Sequence, residues 1–231
     1  MEKSKTKKII KQIKVLIIEK RELMPTLIHQ KIIFVTFHIY YYIGDYIMRA
    51  FLAIEIEDYI KDNIDRTQKI IKESDSARIN YVKSQNIHLT LKFFGDIDED
   101  KKKEICDVVN KVTSQYNEYK LKLVNVGAFR NINNPRVIWI GIKDKTTVDL
   151  IRELDSEFEK IGFEKEKSYT PHITIGRVKN INDKAKLKDT LKSLQKEYYG
   201  KMEVKEIHLK SSTLTPSGPI YKTEETFKLG K

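Results

Sequence analysis

A tetrapeptide of pattern His-apolar-Thr-apolar occurs twice in this chain, as His88-Leu89-Thr90-Leu91 and as His172-Ile173-Thr174-Ile175. Such alternation reads as a strand, whose successive side chains point to opposite faces. His and Thr then share one face, and the aliphatic residues turn into a core. Each copy is preceded by a helix-and-strand unit, so the repetition constrains the chain to two related halves.

The rest of the pattern from Met48 onward agrees with this. Strands are predicted over 49–56, 77–82, 87–94, 120–129, 137–142, 172–177, 202–211 and 220–227, where β-branched and aromatic residues cluster between turn signals. Four amphipathic helices lie between them. Ile60, Ile64 and Ile71 mark the first, and Ile105, Val108, Val109, Val112 and Tyr116 the second. Ile151, Leu154, Phe158 and Ile161 mark the third, which a Thr146-x-x-Asp149 box is expected to open and Gly162 to end. Leu187, Leu191, Leu194 and Tyr198 mark the fourth. Gly95-Asp96 is expected to close the first motif strand, and 120–129 with 137–142 form a hairpin with a long loop. Short connections and no Pro-, Gly- or Ser-rich linker give an α+β or mixed α/β fold with antiparallel neighbours.

Composition narrows the class of partner. Of 231 residues, 40% are hydrophobic and 33% charged, which suits a soluble chain with a real core and excludes wholesale disorder. A formal net charge of +11 favours an anionic partner such as RNA, DNA or a phosphorylated small molecule. About half of that excess sits in residues 1–47, which carry eight Lys and one Arg against three Glu and one Asp. The apolar run 32–43 within that stretch is too short to span a bilayer, and no small-residue cleavage site follows it. Residues 1–47 are therefore read as a non-native or poorly ordered extension, and residues 48–231 as the domain. The single cysteine, Cys106, forbids an internal disulfide and fits a reducing, cytoplasmic compartment. Its acidic neighbours and helical setting read as core rather than as an activated thiol.

Two imidazoles and two hydroxyls on facing strands make a site for paired proton transfer. Histidine titrates near neutrality, so one copy can donate a proton while the other accepts one. In-line cleavage of a phosphate ester needs a base on the attacking oxygen, an acid on the leaving oxygen and donors for the non-bridging oxygens. Taken singly, His88 or His172 reads as a structural histidine, as His29, His38 and His208 do; the duplication turns the reading to function. A zinc site is disfavoured, because each motif supplies one ligand and no Cys, Asp or Glu stands beside it at ligand spacing. No P-loop, Gly-x-Ser-x-Gly or dinucleotide fingerprint occurs, so no cofactor is implied.

The segments His88-Leu89-Thr90-Leu91-Lys92-Phe93-Phe94-Gly95 and Thr170-Pro171-His172-Ile173-Thr174-Ile175-Gly176-Arg177 resemble the paired motifs of the two-histidine (2H) phosphoesterases. Within that superfamily the likeness is to the RNA 2′,3′-cyclic phosphodiesterases, historically called 2′-5′ RNA ligases. The opening 49–54, the middle 127–129 and 135–139, and the closing 214–221 are similar to the family as well; residues 1–47 have no counterpart, which makes Met48 the expected start. The resemblance implies two pseudo-symmetric lobes, each an antiparallel sheet with outer helices, around a central groove. It implies metal-independent hydrolysis of RNA 2′,3′-cyclic phosphate ends to 2′-phosphates, with His88 as proton donor, His172 as acceptor, and Thr90 and Thr174 on the non-bridging oxygens. The substrates implied are RNA ends or small cyclic-phosphate nucleotides, with no membrane and no stable protein partner, for a monomer.

Arg177 and Arg130 are the candidate substrate-binding residues. Strand parity puts Arg177 on the face opposite His172, hence at the rim. Arg130 and Arg136 flank a loop and either steer an RNA backbone or are solvated. Phe94 and Trp139 read as core before base-stacking platforms. The alternatives are 2′-5′ ligation in the reverse sense, a non-catalytic RNA-end-binding module, and a membrane-tethered basic protein resting on residues 32–43.

Overall fold

The computed structural model describes residues 47–216 and 218–230, so the extension expected over residues 1–47 lies, but for Ile47, outside the described residues. In chain order the elements are β1 (Met48–Glu55), α1 (Asp58–Glu73), β2 (Ala77–Tyr81), a 3-10 turn (Ser84–Asn86), β3 (His88–Ile97), α2 (Glu99–Thr113) and β4 (Tyr119–Phe129). They continue with β5 (Val137–Ile142), α3 (Lys145–Lys160), β6 (His172–Ile181), α4 (Lys184–Ser193), β7 (Tyr198–Val204), β8 (Glu206–Thr215) and β9 (Gly218–Lys228). The strands form two antiparallel sheets, β3-β1-β8-β9 and β2-β6-β5-β4-β7. This is the two-lobed α+β arrangement expected from the sequence. Among the described residues no helix is long and apolar enough to cross a membrane.

Two of the helices cross between the sheets. α1 follows a strand of the first sheet yet packs on β2, β6 and β7 of the second, while α3 follows β5 of the second and packs on β3 of the first. Ile60, Ile64 and Ile71 are buried under α1, and Phe158 of α3 meets Phe94 of β3 edge-on at 4.9 Å. Polar bonds reinforce the crossing. Asn63 Nδ2 donates to the Tyr199 carbonyl at 2.9 Å, and Thr67 Oγ1 to the Tyr199 hydroxyl at 3.0 Å. Each fully buried aliphatic side chain contributes about 1.5–3 kcal/mol, so these interfaces are a principal stabilising layer.

Several boundaries differ from expectation, among them β6, expected over 172–177, which runs on to Ile181. The cap of α3 is Asp144, whose Oδ2 accepts from the Thr147 amide at 2.7 Å, because a carboxylate at that point satisfies the first orphan amides. β3 runs past Gly95 to Ile97: the φ of 75° at Gly95 lets the strand bulge against β1 rather than turn. α4 stops at Ser193, and Tyr198 begins a strand. The segment 202–211 is two strands in different sheets, β7 and β8, which brings the count among the described residues to nine. Cys106 is half-buried against the core, and burial pushes its thiol pKa up.

Candidate active site

β3 and β6 approach one another, and their polar faces line one groove of about 810 Å³. His88, Thr90, His172 and Thr174 all face it. The aliphatic partners Leu89, Leu91, Ile173 and Ile175 are buried, as the alternation demands.

Both imidazoles are held in the same way. Nδ1–H of His88 donates to the carbonyl of Asn86 at 2.8 Å, and Nδ1–H of His172 to the carbonyl of Thr170 at 2.8 Å. A carbonyl only accepts, so each neutral ring carries its proton on Nδ1 and leaves Nε2 as the free base nitrogen. Aromatic walls fix the ring planes. His88 lies 4.9 Å from Phe51 and meets Tyr221 edge-on at 5.3 Å; His172 meets Phe129 edge-on at 4.7 Å, with Trp139 at 6.3 Å. Burial lowers both histidine pKa values below the ordinary 6.5, and the carbonyl bonds oppose that shift. Arg177 lowers His172 further, while beside His88 the ion-paired Glu55 and Lys210 act in opposite senses. The Thr90 and Thr174 hydroxyls find no hydrogen-bond partner among the described residues.

Arg177 is not where parity puts it. β6 carries a bulge against β5, with Trp139 opposite Thr174 and Ile138 opposite Gly176, so Ile175 is the extra residue. Ile175 and Gly176 are therefore both buried, the parity flips, and Arg177 lines the groove with His172. The bulge is clamped: the Ile175 carbonyl accepts from the Val82 amide at 3.0 Å and from Gln68 Nε2 of α1 at 2.9 Å. β3 bulges at the matching place, with Ala53 opposite Thr90 and Leu52 opposite Lys92. Phe93 consequently occupies in β3 the position that Arg177 holds in β6, also lining the groove and 65% exposed.

The other expected residues divide. Arg130 and Arg136 are exposed at the ends of the β4–β5 loop and are not among the groove-lining residues. Phe94 is core, and Trp139 is packed across Gly127 rather than open to the groove. Among the described residues no group of three or more His, Cys, Asp or Glu gathers as a metal site. Sequence reasoning missed Tyr221 as a wall of His88, Tyr81 and Phe93 as lining residues, and the Glu55–Lys210 pair. Tyr221 and Phe93 lie within motif segments, the closing one and the first, but neither carried a mark of its own there.

Comparison with known proteins bears on this geometry. Residues 54–139 and 141–221 match the family model described as LigT like phosphoesterase. The RNA 2′,3′-cyclic phosphodiesterase of Methanothermobacter thermautotrophicus is 41% identical over 183 residues, covering 79% of this chain and 99% of its own length. That of Methanocaldococcus jannaschii is 43% identical over 174 residues, covering 75% and 96%. The crystal structure of TT0787 from Thermus thermophilus superposes with a TM-score of 0.68 at 23% identity, covering 79% of this chain and 98% of that one. Escherichia coli LigT complexed with 3′-AMP does so with 0.63 at 21%, covering 79% and 98%.

Proposed function

The chain belongs to the LigT-like phosphoesterase family, and from that premise we propose that it hydrolyses RNA 2′,3′-cyclic phosphate ends to 2′-phosphates by two-histidine acid–base catalysis within residues 48–231. It is a phosphoric diester hydrolase, as its curated relatives named RNA 2′,3′-cyclic phosphodiesterase are. The observation that carries the mechanism is the shared Nδ1–carbonyl bond, which reserves both Nε2 atoms for substrate.

In this reading Nε2 of neutral His172 takes a proton from water as its oxygen attacks phosphorus. The bond from phosphorus to the 3′-oxygen breaks, and protonated His88 delivers its Nε2 proton to that oxygen. Thr90 and Thr174 donate to the non-bridging oxygens, and the Arg177 guanidinium balances their charge. The histidines finish with exchanged protonation states and reset through solvent. Each step uses a proton donor or acceptor that the groove already holds.

The test is incubation of the full chain, with EDTA present, with an oligoribonucleotide ending in a 2′,3′-cyclic phosphate. A 2′-phosphate product is expected. His88→Ala and His172→Ala should each lower kcat by roughly 10²–10⁴-fold with the fold retained. A 3′-phosphate product, or either variant at wild-type rate, overturns the assignment. An untouched cyclic end that is joined when a 5′-hydroxyl RNA is added selects ligation instead.

A further inference from the structure

In the wall of the groove, whose lining includes Lys92, Glu166 and Tyr169, two nearly inaccessible charges meet. Lys92 of β3 and Asp155 of α3 are 5% and 1% exposed, and Lys92 Nζ donates to Asp155 Oδ1 at 2.6 Å. The ammonium also donates to the Glu164 carbonyl at 2.6 Å and approaches Glu166 Oε1 at 3.4 Å. The second carboxylate oxygen, Asp155 Oδ2, accepts from the Glu166 amide at 2.9 Å and from the Tyr169 hydroxyl at 2.7 Å. Burial works to raise the Asp155 pKa, but the bonds from Lys92, Tyr169 and Glu166 outweigh it and hold the carboxyl below its ordinary value. Asp155 in turn pushes Tyr169 up to about 12.

A buried ion pair is weak evidence for stability, since apolar side chains of similar volume often serve as well. The partners here show a different use. Every bond of Asp155 and Lys92 beyond their own pair goes to the segment 164–169, which runs into Thr170-Pro171-His172. That segment has no strand pairing to hold it; its counterpart before His88 includes β2, which is zipped onto β6. Tyr169 adjoins Thr170, whose carbonyl accepts the hydrogen bond from His172 Nδ1–H. The matching carbonyl for His88, that of Asn86, is tethered otherwise, by Asn86 Nδ2 donating to the Pro219 carbonyl at 3.0 Å.

We infer that Lys92, Asp155 and Tyr169 are positioning residues for His172, and that they fix its tautomer by holding the Thr170 carbonyl from the strand that carries His88. The inference rests on the reading of His172 as the base, but its structural content concerns the ring itself and can be measured without turnover. A line of contacts thus joins the two motifs: His88 and Lys92 lie on one strand, Lys92 binds Asp155, Asp155 binds Tyr169, and Tyr169 sits next to the carbonyl that orients His172.

The test is Tyr169→Phe, which keeps the ring and the ion pair and removes one hydroxyl. Histidine ring ¹⁵N shifts across a pH titration report tautomer and protonation for each imidazole. Tyr116→Phe is the control, because the Tyr116 hydroxyl makes a similar 2.8 Å bond to a carboxylate of the same helix, Glu153. In Tyr169→Phe, His172 should lose its uniform Nδ1–H tautomer and titrate at lower pH, since the bond to Thr170 favours the charged form. His88 should be unchanged, and Tyr116→Phe should alter neither. In the cyclic-phosphate assay kcat should fall roughly tenfold with KM within twofold, and Tyr169→Phe should cost nothing further in a His172→Ala background. An unchanged His172 ring, equal disturbance of both histidines, or the same effect from Tyr116→Phe overturns the inference. Loss of tautomer control in a chain without hydrolytic activity would sustain the positioning role and refute only the proposed reaction.

Discussion

Gly127→Ala is the sharpest test of how the second histidine is walled in. Gly127 stands opposite Trp139 in the β4–β5 pair, and the indole lies flat across it. A Cβ there would stand 2.1, 2.2 and 2.5 Å from Cη2, Cζ2 and Cζ3 of that ring. Ordinary contact begins near 3.4 Å, so the indole must retreat by about 1 Å or more. It has little room, because the ladder holds both backbones and Phe129 stands 5.4 Å away on one side with His172 beyond. Gly127 itself lies outside the positive-φ region, so alanine is tolerated by the backbone and the cost is steric. Overpacking of this kind costs about 1–3 kcal/mol. For a domain of this size that corresponds to roughly 2–12 °C in Tm. Thermal unfolding with a double-mutant cycle measures it. In a Trp139→Leu background the penalty should vanish, since the obstructing ring is gone. An equal penalty in both backgrounds, or Gly127→Ala at wild-type stability and rate, would refute the packing argument.

Two further outcomes follow from the groove. Burial lowers both histidines below 6.5, and in the proposed mechanism only the form with His88 protonated and His172 neutral reacts, so kcat/KM should peak on the acid side of 6.5 and fall about tenfold per pH unit above it; an optimum above about pH 7.5 in a pH–rate profile contradicts this. Arg177→Ala should raise KM roughly tenfold and flatten the salt dependence, whereas Arg130→Ala, outside the groove lining, should stay within about twofold, and steady-state kinetics at two ionic strengths that reverse this order would overturn the placement.

The reach of the sequence follows its periodicities. The motif strands, the buried faces of the four helices and the β4–β5 hairpin were legible because each carries its own local repeat of apolar residues. The side of the strand on which Arg177 emerges was not. Parity fails at the Ile175 bulge, and that bulge is set by Val82 and Gln68, which are remote in sequence and carry no local mark. The break at Lys205 escaped for a related reason: β7 and β8 are both β-rich, and only pairing with β4 or β1 separates them. The Asp155 cluster was invisible because an Asp among the polar positions of an amphipathic helix reads as solvated. Its burial comes from Lys92 reaching across from another element.

The exchange of helices between the sheets bears on how such a chain can be divided. A cut in the connection between α2 and β4 would separate the two histidine strands into fragments that look like complete repeats. Neither would be self-sufficient. The first would carry α1 with β2 but without β6 and β7, on which it also packs, and the second would carry α3 without β3 beneath it. Each fragment would expose the apolar stripe for which the other holds the complement, so the two halves should reassemble with each other more readily than either folds alone. The groove is in that sense a product of interlocking, and its two histidines belong to one cooperative unit rather than to two joined modules.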